Sequence, residues 1–484
     1  MRITVLNGSP RGKYSITIHT SLYLQKLFPE HTFEIVPVAS RIHALEKDLT
    51  PVLEPMRRAD LIIFSYPVYT FLVPSQLHRF LELLKESGED LSGKYMTQIT
   101  TSKHFYDVTA HRFLEENAFD LGMKVLHGLS ADMEDLTKKE GQEEAAAFFL
   151  RVCRDMENGF CEVSRNPAGA PQNKRAEDPA VPEDAGLNAE TGSFTGQDAG
   201  AGSRAGLGAG DREPAGKAGG PPVIIVADLR SGDTSLARMI SAFREKLPFG
   251  SRLVNLRDHP LKGGCLGCMN CAATGDCIYK DGFQELLRSE IQTGSAIIYA
   301  FAVRDHSMGS LMKQFDDRQF CNGHRTVTMG MPVGYLISGP YSAEPNLQML
   351  IEARAQTGGN YLAGTASDET DPEGEIRVMT DRLVYAIRTG YCPPRNFYGI
   401  GGMKIFRDLI YTMRGMMKAD HKFYKSRGQY DFPQKQKGKI LLGYLLGALV
   451  SNPKIRKKMG NKMNEGMTAP YRKVIEKAGR YKET

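Results

Sequence analysis

The segment Asn7-Gly8-Ser9-Pro10-Arg11-Gly12-Lys13-Tyr14-Ser15-Ile16-Thr17 lies between a short apolar run, Arg2–Asn7, and a helical pattern that reaches Leu27. It reads as a strand, a tight loop and the first turn of a helix. Two glycines free the backbone, Ser9, Ser15 and Thr17 supply hydroxyls, and Arg11 and Lys13 supply cations. Backbone amides at a helix N-terminus suit a phosphate monoester. The Gly-Lys-Ser/Thr ending of a Walker loop is missing. Taken alone, the segment is equally an ordinary Gly/Pro turn.

Outward from this loop, strand and helix signals alternate. Strands are expected at Phe33–Val38, Leu61–Tyr66, Tyr95–Thr100 and Lys124–Leu129, with helices over Pro74–Lys85 and about Val108–Leu121. Continuous apolar strands alternating with helices indicate an α/β fold with a doubly wound parallel sheet. The same order returns later, with strands at Val223–Ala227, Arg252–Leu256, Ala296–Phe301, Val333–Ile337 and Tyr361–Gly364. Ser75…Phe80 and Ser310…Phe315 align at a constant spacing of 235 residues. The shared order of elements points to a tandem duplication, the alternative being that every doubly wound domain has such a rhythm. Between the halves, 164–221 is rich in Gly, Ala, Pro and charge and poor in large apolar residues, so a disordered linker is expected. The expected organisation is a first α/β domain over 1–163, the linker, a second over 222–392 and a basic helical tail over 393–484.

Ligands of an open parallel sheet bind beyond the carboxyl ends of its strands. The third strand ends in Ser65-Tyr66-Pro67-Val68-Tyr69-Thr70-Phe71-Leu72-Val73-Pro74-Ser75, a Pro-x-Tyr corner running into a helix. Its main-chain groups and aromatic rings offer a rigid shelf for a planar, amphipathic ring. After the fourth strand, Thr100-Thr101-Ser102-Lys103-His104-Phe105-Tyr106 offers a third wall. With the first loop, these stretches resemble the NADPH-dependent FMN reductases of the flavodoxin-like superfamily. The resemblance covers nearly all of residues 1–160. It implies that Ser9, Arg11, Ser15 and Thr17 hold the FMN phosphate. Pro67, Val68, Tyr69 and Thr70 would line the isoalloxazine ring, and Ser102 and His104 would close its other edge. His104 is a candidate general acid, although a lone loop histidine is more often structural. Ile16 departs from the Asn that the family often carries, which costs one side-chain hydrogen bond.

Cys265, Cys268, Cys271 and Cys277 form C-x2-C-x2-C-x5-C, with Gly263, Gly264 and Gly267 among them. Four thiolates at this spacing can each take a corner of a [4Fe–4S] cubane. Zinc is the alternative, although it usually draws on two separated C-x2-C pairs. Cys153, Cys161, Cys321 and Cys392 are dispersed and read as structural. The motif resembles that of the iron–sulfur flavoproteins, where a compact cysteine insert interrupts the same flavodoxin-like fold. That resemblance covers about residues 222–390 and implies a cluster exchanging single electrons with FMN. The loop Asp228-Leu229-Arg230-Ser231-Gly232-Asp233 lacks the Gly-Ser-Pro, and Asp233 would repel a phosphate. Arg304 stands where the first half has Tyr69. Gly339-Pro340-Tyr341-Ser342 is still flavin-like, so flavin binding by the second half is left open.

The chain has 484 residues, 41% hydrophobic and 24% charged, which excludes a wholly disordered, collagen-like or multi-spanning chain. The eight cysteines are too sparse for a disulfide scaffold and point to a reducing, cytoplasmic setting. Met1–Asn7 is no signal peptide. The net charge of +6 belongs to the tail: twenty Lys/Arg face six Asp/Glu from Phe397 to Thr484. There, Lys439–Val450 is apolar but too short to span a bilayer. It would dock on the body or, as the weaker alternative, lie on an anionic membrane surface. Charge alone does not make a nucleic-acid partner. The expected activity is an NAD(P)H-dependent, FMN-containing oxidoreductase passing electrons to an iron–sulfur centre, a ferredoxin-type carrier or a small acceptor such as a quinone. Two alternatives are an electron-transfer protein without NAD(P)H activity and a zinc-stabilised binding module. The superfamily commonly dimerises, through two chains or through two halves of one. The first half has the better flavin loops and the second the cysteine insert, so the cysteine loop is expected against the Tyr69–Phe71 shelf across a pseudo-twofold contact, which a linker spanning on the order of 40 Å permits.

Overall fold

The computed structural model describes residues 1–104, 106–164, 220–433, 437–451 and 454. The expected linker lies almost wholly outside them. The first half forms β1 (Arg2–Asn7), β2 (Thr32–Pro37), β3 (Leu61–Pro67), β4 (Tyr95–Ser102), β5 (Lys124–Val125) and β6 (Leu129–Asp132). They pair in parallel in the order β2-β1-β3-β4-β5, with β6 also on β4. The second half forms β7 (Val223–Ala227), β8 (Ser251–Asn255), β9 (Ala296–Ala302), β10 (Pro332–Ser338) and β11 (Tyr361–Ser367), ordered β11-β10-β9-β7-β8. Read from the opposite edge, this is the same 2-1-3-4-5 order, the doubly wound arrangement of flavodoxin-like folds. β3 is buried from Leu61 to Tyr66, as a strand covered on both faces must be. The single strand expected over Lys124–Leu129 is instead two short ones. Between them Gly128 lies so close to β4 that an added Cβ would meet Gln98 Cγ at 2.4 Å.

Met1–Tyr424 is one compact unit and Lys425–Thr484 another. Within the first, the two halves share a hydrophobic core. Leu77, Phe80, Leu81 and Leu84 of helix Ser75–Ser87 belong to the same buried cluster as Met308, Met312 and Phe315, the last two on helix Gly309–Arg318. Each fully buried side chain of this kind contributes about 1.5–3 kcal/mol. The polar contacts obey the 235-residue spacing, which maps Ser75 onto Ser310 and Glu82 onto Asp317. The Ser75 amide donates to Asp317 Oδ2 at 2.8 Å, and the Ser310 amide donates to Glu82 Oε1 at 2.7 Å. Such reciprocity is the signature of an isologous, twofold contact, here within one chain.

The stretch that follows residue 393 contributes to the compact unit. Helix Phe397–Thr412 buries Gly399, Gly402, Met403 and Ile410. Asp420 is buried and accepts from the His324 amide at 3.0 Å. In the second unit, Lys437–Ser451 is helical. No helix among the described residues is long and apolar enough to cross a membrane.

Candidate functional site

The site begins at the N-terminus of helix Ile16–Leu27. Asn7 braces the loop, its Nδ2 donating to the Gly12 carbonyl at 3.0 Å and its Oδ1 accepting from the Ser9 amide at 3.1 Å. The Ser15 hydroxyl does not cap its helix. The helix's first amides therefore have no side-chain partner within the loop, as an anion site requires. Thr17 Oγ1 pairs with Thr101 Oγ1 at 2.6 Å. This links the loop to the end of β4 and commits the Thr17 hydroxyl to a protein partner.

The shelf after β3 is a two-residue hairpin. Tyr69 and Leu72 exchange backbone hydrogen bonds of 2.8 and 3.0 Å. Between them, Thr70 (φ 44°) and Phe71 (φ 67°) are both left-handed. Such a turn favours Asn and Gly, and a β-branched residue there is strained by about 1–3 kcal/mol. The second half holds it in place. Thr70 Oγ1 donates to Asp317 Oδ1 at 2.8 Å, and Lys313 Nζ donates to the Tyr69 carbonyl at 2.9 Å. Lys313 also pairs with Asp317, both being fully buried.

The cysteine loop lies against this shelf. Gly267 (φ +61°) is so near Tyr69 that an added Cβ would be 2.0 Å from Tyr69 Oη. Gln76 Nε2 donates to the Cys265 carbonyl at 3.2 Å. Burial pushes the Tyr69 hydroxyl upward, with Cys265 and Asp317 adding to it. Arginines hold the loop from beneath. The buried Arg318 donates to the Gly263 carbonyl at 2.9 Å and forks onto Asp281, so it ties the two ends of the loop together. Arg288 and Arg325 both donate to the Gly275 carbonyl, at 2.5 and 3.0 Å.

These parts enclose one cavity of about 620 Å³. Ser9, Arg11, Ser15, Thr17, Pro67, Val68, Tyr69, Thr70 and Ser102 line it, together with Cys265, Cys268, Cys271 and Cys277. The structure thus brings the expected phosphate, ring and cysteine residues to one space. His104 is not among the lining residues. Its side chain is half exposed, with Nδ1 3.4 Å from Asp107. Three features escape sequence reasoning. Cys321, fully buried, stands in the same wall, and burial pushes its thiol up to about 12. Helix Phe397–Thr412 roofs the apolar end with Phe406 and Leu409. Lys313 braces the shelf from the other half. No spacing signal connects these residues to the motifs.

The equivalent place in the second half is closed by its own side chains. Asp233 stands at the N-cap of helix Thr234–Lys246, where the first half has Ser15. Arg304 Nη2 donates to both of its oxygens, at 3.0 and 3.2 Å. Asp368 accepts from Ser235, Ser338 and the Gly339 amide. Glu369 takes the amide and hydroxyl of Ser342. Carboxylates thus take the donors that a phosphate and a flavin ring would use.

With this geometry in view, the comparisons with known proteins fall into place. Residues 1–131 match the family of NADPH-dependent FMN reductases. A curated iron–sulfur flavoprotein of Archaeoglobus fulgidus is 24% identical over 195 residues, covering 38% of this chain and 84% of that protein. Among solved structures, an NAD(P)H:quinone oxidoreductase from Methanothermobacter marburgensis is 14% identical over 37% of this chain and 99% of its own, with a TM-score of 0.27. An FMN-dependent NADH-azoreductase from Bacillus anthracis is 16% identical over 31% and 99%, with a TM-score of 0.24. The FMN reductase match ends at the last strand of the first sheet, so it contains the phosphate loop, the shelf and Ser102.

Proposed function

We propose that the chain is a flavin-dependent NAD(P)H oxidoreductase, with FMN held by the first half and an iron–sulfur cluster held by the cysteine loop of the second. One observation carries this reading: the phosphate loop, the Tyr69 shelf and all four motif cysteines line one cavity. The FMN reductase match of residues 1–131 supports the flavin.

The residues present fit both groups. Ser9, Arg11, Ser15 and the first amides of helix Ile16–Leu27 would hold the phosphate. The main chain from Pro67 to Thr70 would fix the ring, and Ser102 would close its edge. Bound FMN would supply hydride acceptance from a nicotinamide and release of electrons singly or in pairs. A cluster on Cys265, Cys268, Cys271 and Cys277 would supply a one-electron carrier. The compact C-x2-C-x2-C-x5-C spacing favours a cluster over tetrahedral zinc, which usually draws on two separated C-x2-C pairs. Arg288, Arg318 and Arg325 would offset the negative charge of four thiolates. His104 has no part in this assignment, because it stands off the cavity. Free thiols and a cluster fit a reducing compartment such as the cytoplasm.

The test is anaerobic purification of the full chain, with flavin, iron and sulfide counted and the spectrum followed during NADH and NADPH titration. FMN, iron and sulfide are expected, with bleaching by at least one nicotinamide. Cys268→Ala is expected to lose iron and keep flavin. A chain that takes up no FMN defeats the flavin assignment. Stoichiometric zinc without iron or sulfide defeats the cluster. Flavin that neither nicotinamide bleaches leaves an electron carrier without reductase activity.

A further inference from the structure

The 235-residue spacing also maps His78 onto Lys313, Glu82 onto Asp317 and Asp305 onto Thr70. The contact between the halves therefore contains one buried polar site in two versions. In the first, the Lys313 ammonium is enclosed. It donates to the Tyr69 carbonyl at 2.9 Å, to Thr70 Oγ1 at 2.6 Å and to Asp317. One cation there meets one carboxylate.

The second version lacks that cation and has an extra carboxylate. His78 replaces the lysine. Its ring is fully buried, and neither ring nitrogen has a hydrogen-bond partner. Asp305 replaces the threonine, with Oδ2 3.9 Å from His78 Nε2. Single ligand atoms of His78, Glu82 and Asp305 all lie within 4.8 Å of one another. The neighbouring cations divide themselves between these carboxylates and others: Arg79 lies 2.9 Å from Glu82 and 2.8 Å from Glu86. Lys85 lies 2.6 Å from Asp120 and 3.5 Å from Asp305 Oδ1, while Lys313 is paired with Asp317. Glu82 also accepts from Ser310 and from Arg79.

We propose that His78, Glu82 and Asp305 bind a divalent transition-metal ion that joins the two halves across their pseudo-twofold contact. One imidazole nitrogen with two carboxylate oxygens is a donor set suited to zinc and its first-row neighbours. Bonds of about 2.0–2.2 Å require the three ligand atoms to close to roughly 3–3.5 Å, which side-chain rotation can supply. The ion takes the place that the Lys313 ammonium fills in the first version. The proposal is independent of the flavin and cluster assignments.

Cobalt(II) titration of the chelator-treated full chain tests it. Cobalt on the cysteines gives an intense thiolate-to-metal charge-transfer absorption, whereas cobalt on nitrogen and oxygen gives weak visible bands only. One equivalent of the weak-band type is expected, with a rise in Tm. His78→Gln and Asp305→Asn should each weaken that uptake about 10-fold or more. Both should reduce the cobalt-dependent rise in Tm and leave the thiolate absorption intact. Asp305 lies at the solvent edge of the cluster, so its Asn variant decides the matter if His78→Gln fails to fold. A wild-type chain showing only the thiolate signature, or variants with unchanged weak-band uptake, overturns the proposal.

Discussion

The turn Tyr69-Thr70-Phe71-Leu72 and its counterpart Arg304-Asp305-His306-Ser307 have nearly the same backbone and opposite surroundings. In both, the outer residues exchange main-chain hydrogen bonds of 2.8–3.0 Å. The inner residues sit at φ 44° and 67° in one turn and 50° and 61° in the other. The first turn faces an open cavity, while in the second Arg304 closes onto Asp233. The same strained backbone thus stands in both surroundings, because the turn has a second task. Each turn inserts into the other half, and that docking stabilises both. The second half thus presents the cysteine loop and braces the Tyr69 shelf.

The bracing can be broken at Lys313. Lys313→Met leaves Asp317 buried without its cation, which typically costs about 3–5 kcal/mol. Urea unfolding should show a loss of that size, and the purified protein should hold less flavin, because the Tyr69 carbonyl and Thr70 lose a partner. A variant of near-normal stability with full flavin would show that the first turn needs no brace.

The second turn offers a pH handle that the first lacks. His306 occupies the position of Phe71 and is buried between Asp120 and Glu344, at 2.9 Å from each. Burial opposes its charge, but the two carboxylates outweigh burial and raise its pKa to about 9. Unfolded histidine titrates near 6.5. The folded form therefore binds the proton more tightly. Its stabilisation is complete below about pH 6.5 and is lost as pH rises through about 9. On the order of 3 kcal/mol is expected to disappear over that window. Lys85 also pairs with Asp120, at 2.6 Å. His306→Gln should flatten the decline. A wild-type chain equally stable at pH 6.5 and 9 would contradict the assignment.

What could be read in advance was whatever is local. The strands of both halves are runs of apolar residues, and periodicity locates them. The Pro67–Thr70 corner and the C-x2-C-x2-C-x5-C spacing fix chemistry within a few residues. What could not be read depends on docking. Lys313 on an amphipathic helix reads as a solvated charge, and only the opposing turn reveals that it is buried. Arg318 likewise gives no sign that it ties Gly263 to Asp281. Cys321 lies 44 positions beyond Cys277, too far for any ligand spacing. Phe406 and Leu409 belong to a stretch whose basic composition suggests a tail, and their place over the cavity emerges only when helix Phe397–Thr412 packs on the body. Gly128 splits the fifth strand through a close approach to Gln98, another effect of the assembled sheet.

The smallest effect is expected where the comparison is sharpest, at Arg304. Its contact with Asp233, one nitrogen shared between two oxygens, is partly exposed, with side-chain accessibilities of 25% and 16%. Solvent screens such a pair, so Arg304→Ala should cost only about 1 kcal/mol. Asp233 keeps the Arg230 amide as a donor at 2.9 Å, which limits the loss further. Flavin content should not change, because the phosphate loop and shelf of the first half do not involve this pair. The informative outcome is therefore the flavin-to-protein ratio and not the stability. A fall in that ratio would mean that the second cradle normally contributes a flavin, and the two halves would be less different than their side chains indicate. A rise would mean that Arg304 is what keeps flavin out, with the Asp233 carboxylate too weak a barrier by itself. An unchanged ratio with a slight loss of stability is the result expected if Asp233, Asp368 and Glu369 already hold the donors that a flavin would need.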